Sequence, residues 1–253
     1  MSSELCRWLH EKLESLYLIK LPFFDVDKLP DNGIYFFYEE GENSTHINYD
    51  YADNVHADNN NSIISTNAKA RIVRIGTHME GNFSTRISKH FLLNDAAKMM
   101  NFTISNPKPS DRSIFRKNIG RALLNKENDY YQKIWEIDFM TRENCNNYGI
   151  MRNIQKEKEI ESAITKILRE KFSFRFIPLE GQVKRIWKSG IESKLIGTIA
   201  SCNLCKASDN WLGKYSPIPQ IRNGKLWLSQ HLNSPGLSKQ EKDGLENAII
   251  NLS

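Results

Sequence analysis

Five polar side chains stand on segments that otherwise carry apolar residues. Tyr35 follows Gly33 and Ile34 in an aromatic run, and Arg74 precedes Ile75 and Gly76. Arg86 and His90 are four residues apart, so on a helix they share one face. Glu192 lies beside an apolar stripe formed by Ile191, Leu195, Ile196 and Ile199. A phenol, two guanidinium groups, an imidazole and a carboxylate are the inventory of proton transfer and anion binding. No phosphate-binding Gly-rich loop, no HExxH and no GxSxG occurs. Cys202 and Cys205 form a single CxxC, with Cys6 and Cys145 standing apart. One such pair is at most half of a zinc site, and the sequence favours two reduced thiols at a helix end.

Hydrophobic periodicity supplies the elements that must position these groups. Leu5, Trp8, Leu9, Leu13, Leu16 and Tyr17 predict a helix over 3–18. Aromatic and β-branched runs predict strands at 32–40, 70–76 and 172–179. Further helices are expected at 84–93, after Pro107 and Pro109 with Ser110 or Asp111 as cap, at 155–170, and at about 183–201. Residues 130–140 read equally as a strand or a short buried segment. Residues 41–69 are polar, aperiodic and free of Lys and Arg before Lys69, which suggests a long surface loop. The fold class expected is α+β: a small mixed or antiparallel three-stranded sheet flanked by helices. An N-terminal helix and connector (1–29), a core (30–205) and a loop-rich C-terminal extension (206–253) complete one compact unit. Trp211, Tyr215 and Trp227 anchor the extension.

This order of motifs resembles the GIY-YIG nuclease superfamily. The resemblance is carried by Gly33-Ile34-Tyr35, by Arg74-Ile75-Gly76 where the family has Tyr-Ile-Gly, by Arg86 and His90 in STRISKH, and by Glu192 in IESKLI. It covers roughly residues 30–205. The segments VRIGTH, SIFRKNIG, WLG and LWLSQH are similar to those of bacterial, restriction-endonuclease-like members. The resemblance implies a DNA endonuclease that hydrolyses phosphodiester bonds, possessing one Mg²⁺ or Mn²⁺ held by Glu192. Tyr35 would activate water, Arg86 stabilise the phosphate and His90 assist proton transfer, with His78 as a second proton carrier. Arg74, in place of the family's tyrosine, would set positive charge near the scissile phosphate. Asn203 falls near a supporting asparagine of the family. Glu161 in IESAIT mimics the metal-binding segment, but it precedes the third strand where the family's glutamate follows it. The same fold with catalysis lost, leaving a nucleic-acid-binding or protein-interaction module, is the competing expectation.

Charge supports a polyanionic partner without the resemblance. The chain of 253 residues has a formal net charge of only +5. Between Arg86 and Lys126, however, nine Lys and Arg face two Asp, whereas residues 39–58 hold six acids and no Lys or Arg. Lys89, Arg112, Arg116, Lys117 and Arg121 are therefore candidate DNA contacts, with His78 and Asn203. No basic leader or apolar stretch of membrane-spanning length is present, so a cytoplasmic protein is expected. A role in restriction or defence, and a homodimer for double-strand cleavage, complete the expectations.

Overall fold

The computed structural model describes residues 2–20, 25–46, 70–78, 81–93, 96–179 and 190–252. Helix α1 (Ser2–Glu14) leads into the two-residue strand β1 (Ile19–Lys20), then β2 (Gly33–Asn43) and β3 (Ala70–His78). Helices α2 (Phe83–Phe91), α3 (Ala96–Met100), α4 (Ile114–Lys126), α5 (Gln132–Trp135), α6 (Arg142–Tyr148) and α7 (Ile154–Lys171) precede strand β4 (Phe172–Pro178). Helices α8 (Ile191–Ala200), α9 (Pro219–Gly224) and α10 (Lys239–Ile250) complete the chain.

The sheet is antiparallel, in the order β1-β4-β2-β3. The three strands expected from sequence are joined by a fourth, β1, too short to show a period of its own. Alternation along β2 divides two cores between the faces. Tyr35 and Phe37 face a cluster with Phe83, Ile87, Phe91, Phe115, Ile164 and Leu168, drawn from α2, α4 and α7. Ile34, Phe36 and Tyr38 face Leu9, Leu13, Ile191, Leu195 and Leu245, drawn from α1, α8 and α10. Trp211 and Trp227 join the first cluster.

Local chemistry sets the helix ends. Asn153 caps α7 by accepting from the Lys156 amide, and Arg169 and Lys171 stand in its last turn, favourable to the helix dipole. Ser113, one turn later than the expected cap, accepts from the Arg116 amide and starts α4 after a 3₁₀ turn at Pro109–Arg112. Residues 130–140 contain α5, where the Trp135 indole N–H donates to the Lys117 carbonyl at 3.1 Å. Burial of one large aromatic, not a strand period, explains that segment's apolar look. In the loop-rich tail the sequence reading misses α10, although Ser238 and Glu241 form a capping box there. The long loop of 41–69 is strand to Asn43, and its residues 47–69 lie outside the described ones, as do 183–189 of the helix expected at 183–201.

Candidate active site

The register of β2 on β3 pairs Tyr35 with Gly76 and Phe37 with Arg74. The Tyr35 ring stacks on Phe37 (centroids 4.5 Å apart) and crosses over β3 at Gly76. A Cβ at Gly76 would overlap the phenol oxygen. The glycine of the second motif is therefore a requirement of the tyrosine of the first.

Helix α2 packs on this face through Phe83, Ile87 and Phe91, which sets His90 against Tyr35. The Tyr35 hydroxyl and His90 Nε2 share a hydrogen bond at 3.3 Å. His90 Nδ1 reaches Ser113 Oγ at 2.8 Å. Both rings are buried. Burial holds the His90 pKa well below its usual value, and the charges of Arg74, Arg86, Arg116 and His78 add to the effect. The imidazole is therefore neutral, with one nitrogen free to accept. Arg86, half-buried one turn before His90, contributes to this positive field, as does the half-buried His78.

Arg74 is buried. Its guanidinium donates to the Trp227 carbonyl and lies 4.9 Å from the Phe115 ring centroid. It ties the C-terminal segment to the sheet, and its charge reaches the site through His90 and not by contact with solvent. The Trp227 amide also donates to the Val73 carbonyl at 2.8 Å.

Glu192 occupies the first turn of α8, on the opposite face of the sheet from Tyr35. It accepts from the hydroxyl of Thr77, the residue after Gly76. Glu192 thus sits half-buried at the end of the edge strand β3, on the face of the sheet away from Tyr35. One carboxylate beside one hydroxyl, open enough to leave room for water, suits a hard cation such as Mg²⁺. The softer donors Cys6, His46, Cys202 and Cys205 gather at the other end of α8 and do not suit it.

Glu161, the rival carboxylate, is fully buried on α7. It accepts from Arg116 Nε (3.1 Å) and Nη2 (2.6 Å) and from the Ser110 amide (2.7 Å), which commits both of its oxygens. Arg116 also donates to the His90 carbonyl at 3.0 Å. This corrects the expected role of Arg116, whose guanidinium is enclosed and cannot meet a phosphate. Lys117 is likewise buried: its amine lies 3.6 Å from Asp111, and burial lowers its pKa. Arg121 is paired with Glu136. Lys89, Arg112 and Asn203 are exposed. The basic stretch noted in sequence is thus partly internal, because α4 is buried on several sides.

Ser113 and Thr77 escape sequence reasoning. Ser113 is legible only as a helix cap, and Thr77 only as the residue after a motif.

The antiparallel sheet flanked by helices makes this an α+β domain. The model of the GIY-YIG domain family matches residues 54–252, most of the chain. The chain belongs to the GIY-YIG domain family. The matched span begins after Tyr35 and does not include it. No curated protein and no solved structure gives a match. The family's domains are generally metal-dependent endonucleases, which gives this chain a nuclease-type function with DNA as the general substrate. No described helix is long and apolar enough to cross a membrane.

Proposed function

We propose that this chain is an Mg²⁺- or Mn²⁺-dependent DNA endonuclease whose reacting groups are Tyr35, His90, Arg86 and Glu192, and that it serves in restriction or defence. The supporting observation is the Tyr35–His90 hydrogen bond inside a field of cationic side chains.

Phosphodiester hydrolysis needs an oriented water, a partner for the developing phosphoryl charge and relief of charge on the leaving oxygen. His90 donates Nδ1–H to Ser113 Oγ and accepts from Tyr35 at Nε2. The Tyr35 oxygen keeps its lone pairs for the attacking water and passes its own proton to Nε2 as it takes one up. Tyr35 and His90 are buried, so on this reading DNA would have to reach them past the half-buried Arg86 and His78. Arg86 grips the phosphoryl oxygens as a fork, more strongly as charge grows. Arg74 is a positioning residue that holds the Trp227 segment and, with burial, keeps the resting His90 neutral so that Nε2 is free to accept. Glu192, oriented by Thr77, would hold the divalent cation, which supplies charge neutralisation at the phosphate and leaving oxygen.

The second reading, a nucleic-acid-binding module with catalysis lost, draws on Arg74. Its position is committed to the Trp227 carbonyl and the Phe115 ring. Plasmid nicking separates the two. With Mg²⁺ or Mn²⁺ the wild type should nick supercoiled DNA, and Arg86→Ala and Glu192→Gln should not. DNA retention by all three proteins without nicking by any supports the binding module.

A further inference from the structure

Three cysteines and a histidine, distant in sequence, meet behind the C-terminal end of α8. Cys6 comes from α1, His46 from the chain after β2, and Cys202 and Cys205 from the turn after α8. Their donor atoms all lie within 4.8 Å of one another. Cys6 Sγ is 3.5 Å from Cys205 Sγ, and His46 Nε2 is 3.4, 3.6 and 3.5 Å from the sulfurs of Cys6, Cys202 and Cys205. A tetrahedral ion with bonds of ~2.3 Å to sulfur and ~2.0–2.1 Å to nitrogen has ligand-to-ligand edges of roughly 3.5–3.8 Å. The observed separations approximate those edges. All four residues are buried, and the cysteines are free thiols.

We propose that this chain binds a structural Zn²⁺ through Sγ of Cys6, Cys202 and Cys205 and Nε2 of His46. The donors are soft, four in number and closed off from water, the features of a structural zinc site and not of a catalytic one. Without a cation the three thiols compete for charge. A divalent cation removes that competition, and its binding releases the thiol protons. The surroundings are built for the purpose. His10 Nε2 lies 3.4 Å from Cys205 Sγ, where its N–H can donate to a thiolate. The Thr45 amide and hydroxyl both donate to the Leu204 carbonyl, at 2.9 and 3.0 Å, clasping the His46 segment onto the CxxC turn.

The ion would close a loop between residues 199 positions apart, Cys6 and Cys205. It would also fix the C-terminal end of α8, the helix whose first turn holds Glu192. Ten residues of helix, ~15 Å, separate the two positions. The proposal stands whether or not the chain cleaves DNA.

The test is the metal content of the full chain, purified without chelator and, separately, after reconstitution with Zn²⁺. One tightly held zinc per chain is expected in the wild type and in Cys145→Ser, and at least about tenfold less in Cys202→Ser/Cys205→Ser. Cobalt replacement should give the intense visible bands of a tetrahedral thiolate site, which Cys145→Ser keeps. Folded wild-type protein without zinc after reconstitution overturns the proposal. So does an iron chromophore, a weak six-coordinate cobalt spectrum, or zinc retained by the double variant. Should that variant fail to fold, the wild-type stoichiometry and cobalt spectrum still decide.

Discussion

Replacing Glu161 by alanine should unfold this protein more readily than any change at Glu192, although both carboxylates sit in Ile-Glu-Ser segments. The Glu161 side chain is fully buried and paired with an equally buried Arg116. Deleting it leaves a guanidinium away from water with its counter-charge gone, and the Ser110 amide without an acceptor. Breaking a buried pair by removing one partner costs about 3–5 kcal/mol. Arg116 would retain the His90 and Glu161 carbonyls and Thr165 Oγ1 as acceptors, which places the expected loss near the lower figure. In urea, with m of ~1–3 kcal/mol/M, about 3 kcal/mol moves the midpoint by ~1–3 M. Glu192→Ala loses one half-buried hydrogen bond and should shift stability by no more than ~1 kcal/mol. Removing both charges, Arg116→Met with Glu161→Leu, should recover most of the loss, because no buried charge is then left unpaired. A midpoint unchanged in Glu161→Ala, with nicking abolished there and intact in Glu192→Ala, would refute the reasoning and exchange the two roles.

Other outcomes follow from the same contacts. Tyr35→Phe should keep the fold and lose ~10²-fold or more in nicking rate, since it removes only the hydroxyl shared with His90; an unchanged rate would exclude Tyr35 from the chemistry. Glu39 is buried, with both the Trp211 and Trp227 indoles donating to Oε2 at 3.1 and 2.9 Å. Burial first, then Glu42, push its pKa up to about 7 from 4.5, against the lowering effect of the two indoles and Arg71. Its folded-state pKa is raised, so its contribution to stability declines as pH rises from about 4.5 through about 7. Glu39→Gln, which keeps an acceptor for the indoles, should therefore gain about 2–3 kcal/mol at pH 8 relative to pH 4.5, read by chemical denaturation. His90 has the opposite sign. Its folded pKa is depressed, so stability should fall as pH drops below 6.5, and His90→Gln should flatten that part of the profile.

The strands around Tyr35 and Arg74, the helix with Arg86 and His90, and α7 were legible because their signals are local. Periodicity, a cap or a glycine break lies within a few residues of each. The charge of α4 was not legible in the same way. Arg116 and Lys117 look like phosphate contacts until Glu161, 45 residues on, and Asp111 enclose them.

The sequence by itself determined the family's motif order and the α+β layering, because both depend on neighbours along the chain. Only the tertiary structure decided which face of the sheet each group lies on, that Arg74 belongs to the Trp227 segment, and that Cys6 and His46 lie beside the lone CxxC. Burial, charge state and ligand geometry are set by partners brought from far along the chain, and a linear pattern holds no record of those distances.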